Sequence, residues 1–117
     1  MDKVESVKNI LLLGYVGASL LLIALAIPLA MDKIKPNFWY GFRTPRTLKD
    51  PDIWYKVNNF FGKRMIIAGA LTAFSEVALY FLLPPSSMGL FVLGAVVILL
   101  GTLTWAVISS FVYLSQL

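Results

Sequence analysis

The chain has 117 residues, of which 59% are apolar and only 14% charged, and its mean hydropathy is +0.81. Soluble domains carry nearer 25% charged residues, so this composition argues against a water-soluble domain and for a small integral membrane protein. The net charge of +4 then reads as loop charge beside a bilayer, and the absence of Cys and His removes thiol chemistry, Cys- or His-built zinc and haem sites, and histidine acid–base catalysis.

Three apolar runs follow in chain order, over about 10–31, 65–83 and 88–114. Each has the ~18 or more residues that cross a hydrocarbon layer ~30 Å thick. The first is too long for a signal peptide, and Ala26-Ile27-Pro28-Leu29-Ala30 makes a poor cleavage site, so it reads as a retained spanning helix. Its Gly14 and Ala18, and Gly94 with Gly101 in the third run, are spaced for close helix packing. Three helices give a thin core, so a homo-oligomer is compatible with the pattern. The third run exceeds a straight crossing and should tilt or project. Pro84 ends the second run and leaves a very short turn, which makes the second and third helices antiparallel neighbours. No internal repeat or low-complexity tract divides the chain, so residues 1–117 read as one membrane unit.

Between the first two runs lies a basic segment, 32–64, that holds eight Lys and Arg; the N-terminal segment holds two, and the second loop and the tail none. Positive charge accumulates on cytoplasmic loops, so this segment is expected in the cytoplasm, with the N-terminus outside and the C-terminus inside a cell membrane. Within it, Asp50-Pro51 is an N-cap followed by proline at the first helical position. From there Ile53, Trp54, Val57, Phe60 and Phe61 share one helical stripe, which predicts an amphipathic helix in the membrane interface that enters the second spanning helix near Gly62. Upstream, Gly41 permits a tight backbone, Pro45 fixes its own φ, and Arg43 and Arg46 stand three residues apart. Their planar forks suit carboxylates, phosphates and lipid head groups, although loop charge alone also accounts for them.

The run Pro36-Asn37, Tyr40-Gly41-Phe42-Arg43-Thr44-Pro45-Arg46-Thr47-Leu48-Lys49, then Trp54, Asn58 and Gly62-Lys63 resembles the signature of the SdpI family across about 36–63. That family consists of bacterial and archaeal membrane proteins named for an immunity protein against a secreted killing peptide. Many members carry further membrane helices ahead of this unit, where this chain has a single one. The resemblance implies membrane-embedded protection by binding a toxin peptide, or engagement of a regulatory protein. The matching positions are Asn37, Tyr40, Gly41, Arg43, Thr44, Pro45, Arg46, Trp54, Asn58, Gly62 and Lys63. Such a signature can equally preserve a fold, with Trp54 and Asn58 holding the Arg loop against the following helix.

Glu76 is the one acidic or basic side chain inside the apolar runs. A carboxylate there costs on the order of 2–3 kcal/mol on insertion scales, so it must be protonated, paired or turned to a polar interior. Thr72 and Tyr80 lie one turn away, and Ser19, Thr102 and Thr104 are interhelical hydrogen-bond candidates. Proton or cation coupling and a ligand contact are the functional alternatives. No catalytic constellation, nucleotide fingerprint or cofactor motif is present. Phe38, Trp39, Tyr40 and Trp54 beside apolar helices read as interfacial anchors rather than a nucleic-acid surface. The expected molecule is therefore all-α, with three spanning helices and an interfacial helix before the second. It should be a non-enzymatic membrane protein of the immunity type without cofactor or metal. The alternative is a small transporter or lipid-binding module built on Glu76 and the Arg43/Arg46 loop.

Overall fold

The computed structural model describes residues 2–117. Helix α1 spans Lys3–Ala30, α2 Pro45–Lys49, α3 Pro51–Leu82 and α4 Met88–Ser115, with a single 3-10 turn at Pro85–Ser87 between the last two. No strand occurs among the described residues. Helices α1, α3 and α4 are long and apolar enough to cross a membrane, and together they form a rod of 55 × 22 × 18 Å. The protein is a multi-pass membrane protein. Large apolar side chains such as Leu13, Leu20, Phe74, Phe81 and Leu93 line the outside of the rod, as lipid-facing positions do.

Helix α3 is the central element and packs antiparallel against both of the others. Along α1 the contacts run from Lys8 beside Tyr80, through Ser19 beside Glu76, to Ala30 beside Gly62. Along α4 they run from Gly94 beside Leu79, through Thr102 beside Thr72, to Tyr113 on Phe60. Close approach of α1 and α3 rests on Gly62 and Gly69. A Cβ on Gly62 would stand 2.6 Å from Ala30 N, and one on Gly69 would stand 2.6 Å from Ile23 Cγ1. The glycines expected to pack the bundle do less: Gly14 and Gly101 face open space, and Gly94 meets only the Leu79 side chain.

The ends of the three long helices follow one rule. A helix leaves its last carbonyls without intrahelical donors, and here a side chain from another element supplies one each time. Asn59 Nδ2 donates to Ala30 O at 2.8 Å at the end of α1. There Asp32 also takes a left-handed conformation (φ 59°) while Lys33 N bonds to Pro28 O and Asp32 N to Leu29 O, a Schellman closure. Lys8 Nζ donates to Tyr80 O and Leu83 O at the end of α3, and Arg46 Nη1 donates to Leu114 O at the end of α4. Lysine and arginine suit these positions because the C-terminus carries the negative end of the helix dipole.

The expected interfacial helix is not a separate element. Residues 51–64 are the first half of one uninterrupted 32-residue helix, α3, which at 1.5 Å per residue is about 48 Å long and outreaches the hydrocarbon layer. Asp50 does cap it, accepting from Asp52 N at 3.0 Å, with Pro51 in the first turn. The apolar stripe covers protein: Trp54 and Val57 are fully buried, and Val57 forms a cluster with Phe42 and Leu114 on which Ile53, Phe61 and Tyr113 pack. Phe60 stacks on Tyr113, and Phe42 meets Phe61 and Phe111. Stripe periodicity reports that a face is buried, and it is silent on whether lipid or protein covers it.

Candidate functional site

The basic segment folds back over the adjoining ends of α1 and α4, and its conformation is fixed residue by residue. Asn37 opens it with an Asx turn: Oδ1 accepts from Trp39 N at 2.9 Å and Tyr40 N at 2.8 Å, and Nδ2 donates to Lys35 O at 2.7 Å. The chain then turns at Gly41, whose φ of 115° lies where side chains are strained. Space is a second constraint, because a Cβ there would meet Asn58 Oδ1 at 2.7 Å and the Trp54 ring at 3.2 Å.

Asn58 is the hub. It is 2% exposed, and its amide reads the backbone of Phe42 from both sides: Oδ1 accepts from Phe42 N at 2.6 Å and Nδ2 donates to Phe42 O at 3.3 Å. Nδ2 also donates to Trp54 O one turn back, at 3.0 Å. The Trp54 indole donates to Ile34 O at 2.8 Å, which ties the start of the segment to α3. Thr44 and Thr47 form a capping box around Pro45 and start α2, and the buried Thr47 hydroxyl also donates to Phe42 O at 3.1 Å. The carbonyl and N–H of Phe42 are thereby satisfied away from water, as buried backbone groups must be.

The signature positions divide into three groups. Gly41, Trp54 and Asn58 meet in one lock, with Thr44 and Pro45 shaping the adjoining turn and Asn37 the turn before it. Gly62 belongs to the α1–α3 crossing. Arg43, Arg46 and Lys63 are exposed. Arg43 donates to Phe38 O and Arg46 to Leu114 O, so both arginines hold backbone carbonyls and neither pairs with a carboxylate. A guanidinium carries five N–H donors, so the outer edges of both remain for another ligand. Tyr40 is partly buried, and desolvation pushes its hydroxyl above the usual tyrosine range.

Glu76 lies apart from this assembly, inside the helical bundle. It is 1% exposed and accepts from Ser19 Oγ at 3.5 Å, across the α1–α3 interface. The neighbouring residues use other partners: Thr72 pairs with Thr102 at 2.7 Å, and the Tyr80 hydroxyl donates to Asn9.

Several structural residues carry no strong mark in the sequence. Lys8 is buried at 3% exposure and lies against the Tyr80 and Phe91 rings; periodicity alone would count it as terminal charge. Asn59 is equally inconspicuous. Thr47 had a signal, since Thr44-Pro45 repeats the cap-then-proline pattern of Asp50-Pro51. A polar cavity of about 260 Å³ opens between Asp32, Asp52, Tyr55, Lys56, Asn59 and Tyr113, where Lys56 pairs with Asp52 at 3.0 Å. Among the described residues no three His, Cys, Asp or Glu side chains are grouped to hold a metal ion.

A family model described as the SdpI/YfhL protein family matches residues 33–113, well over half of the chain. The match takes in the basic segment from residue 33 on, all of α3 and nearly all of α4. No curated protein and no solved structure matches the chain.

Proposed function

The chain belongs to the SdpI/YfhL family, and from that premise we propose that it is a non-enzymatic immunity-type protein of the cell membrane. It protects the bilayer by engaging a toxin peptide or a regulatory protein at the surface built by residues 36–63. The observation that carries this reading is the family match over a segment whose backbone is locked from within while Arg43, Arg46 and Lys63 stay exposed. A rigid, positively charged knob over helix ends can recognise a partner without ordering itself first. The charge count of 32–64 supports a cytoplasmic location for the knob, with the N-terminus outside and the C-terminus inside.

Two experiments test this. Single cysteines at Lys49 and Ser86 should label from opposite sides of intact cells, with position 49 protected; labelling of 49 from outside would reverse the orientation. Expression in a strain sensitive to a membrane-active killing peptide should confer protection that Arg43→Gln with Arg46→Gln removes at unchanged protein level. The transporter alternative predicts pH-dependent solute or proton flux in liposomes that Glu76→Gln abolishes. Such flux would displace the immunity reading.

A further inference from the structure

Where the basic segment meets α1 and α3, the molecule leaves an apolar crevice of about 180 Å³ lined by Leu22, Leu25, Leu29, Tyr40, Phe61 and Met65. The three leucines belong to the last turns of α1, and Met65 follows Lys63-Arg64 where the apolar stretch of α3 begins, so the crevice lies where the basic segment meets the apolar runs. Its walls are preformed. The Gly41 turn is pinned by Asn58, and the α1–α3 crossing is fixed by Gly62 against Ala26 and Ala30. The rim changes character abruptly, since Tyr40 is the single polar side chain of the lining and the segment 32–64 to which it belongs holds eight basic against three acidic residues. Phe38 and Trp39, 78% and 88% exposed, stand beside the rim in sequence, as aromatics at head-group level do.

We propose that this crevice holds an acyl chain of one anionic phospholipid, whose phosphate is met by the guanidinium of Arg43. The arginine is exposed, stands two residues from Gly41, and keeps its outer donors after bonding to Phe38 O. A guanidinium meets a phosphate through charge-assisted, bidentate hydrogen bonds, and the net positive charge of 32–64 favours a lipid of net negative charge over a zwitterionic one. A second copy is the poorer occupant, because it would bring its own basic segment against this one, and like charges across an interface oppose association. The site does not depend on which partner the exposed knob engages.

Trp54 supplies the readout. It is fully buried and out of reach of bulk lipid, yet its ring lies against Gly41, which borders the crevice. With Trp39 and Trp105 replaced by Phe, Trp54 is the sole tryptophan. The protein is reconstituted in phosphatidylcholine vesicles with increasing phosphatidylglycerol brominated at mid-chain. Trp54 emission should fall along a saturable curve, whereas brominated phosphatidylcholine in the same role should quench weakly and in linear proportion. Leu25→Phe, at a half-exposed position that fills the crevice without disturbing the core, should remove the saturable part. Arg43→Gln should lower the apparent affinity about fivefold, the worth of one basic residue near an anionic surface. Equal, linear quenching by the two lipids would overturn the assignment, as would a curve unchanged by Leu25→Phe. Cysteine cross-linking of position 25 between two copies would give the site to another occupant and overturn it too.

Discussion

Replacing glycines one at a time by alanine should rank the helix contacts of this bundle. In a helix, alanine is favoured over glycine by about 0.5–1 kcal/mol. At Gly14 and Gly101 the added methyl enters open space, so Gly14→Ala and Gly101→Ala should stabilise the protein by about that amount. At Gly69 the methyl meets Ile23 Cγ1 at 2.6 Å and Ser19 O at 3.1 Å. The first belongs to a β-branched side chain that is stiff at χ1 and the second is backbone, so the overpacking should outweigh the alanine gain and Gly69→Ala should lose stability, though less than a substitution that meets backbone alone. At Gly62 the obstacles are Ala30 N at 2.6 Å and Ala26 O at 2.8 Å, both backbone. Ordinary contact needs ~3.5 Å, so α1 and α3 must separate by about 1 Å. Overpacking of that kind costs roughly 1–3 kcal/mol, and after the alanine gain Gly62→Ala should lose about 1–2 kcal/mol. The loss falls on van der Waals packing, which drives helix association in lipid. Denaturation in mixed micelles, followed by circular dichroism, measures the series. If Gly62→Ala proves as stable as Gly14→Ala, the crossing is not where the structure puts it.

Three further outcomes follow from named contacts. Asn58→Ala leaves the buried Phe42 N–H without its 2.6 Å acceptor and should destabilise by about 1–3 kcal/mol, with limited proteolysis appearing within 36–49 before the helices unfold; a protease-resistant segment would refute the lock. Arg46→Gln should fray the last turn of α4, seen as faster hydrogen exchange after Leu114, with a cost near 1 kcal/mol or less because the arginine is exposed. Glu76→Gln keeps an acceptor for Ser19 and should leave stability almost unchanged, whereas Glu76→Leu should cost roughly 0.6–2 kcal/mol in the same denaturation assay; equal stability of all three proteins would show that the Ser19 contact contributes nothing.

Sequence alone determined the three spanning helices, because hydrocarbon thickness sets a length of apolar chain that no other element supplies. It also determined the start of α3, since Asp50-Pro51 acts through local geometry. The signature of 36–63 was legible as a string, and so was the burial of the 53–61 stripe. Tertiary structure decided what each of these touches. It placed the stripe on Phe42 and Leu114 and merged the expected interfacial helix into α3. It chose Gly62 and Gly69 over Gly14 and Gly101 as packing glycines, and gave Arg46 and Lys8 the carbonyl ends of α4 and α3. Lipid and a neighbouring helix are equally apolar, so hydropathy fixes that a helix crosses the membrane and leaves its rotation about its own axis undetermined. That rotation, and with it the meeting of Gly41, Trp54 and Asn58, is set by the shape of the opposing helix and by which backbone groups still need a hydrogen-bond partner.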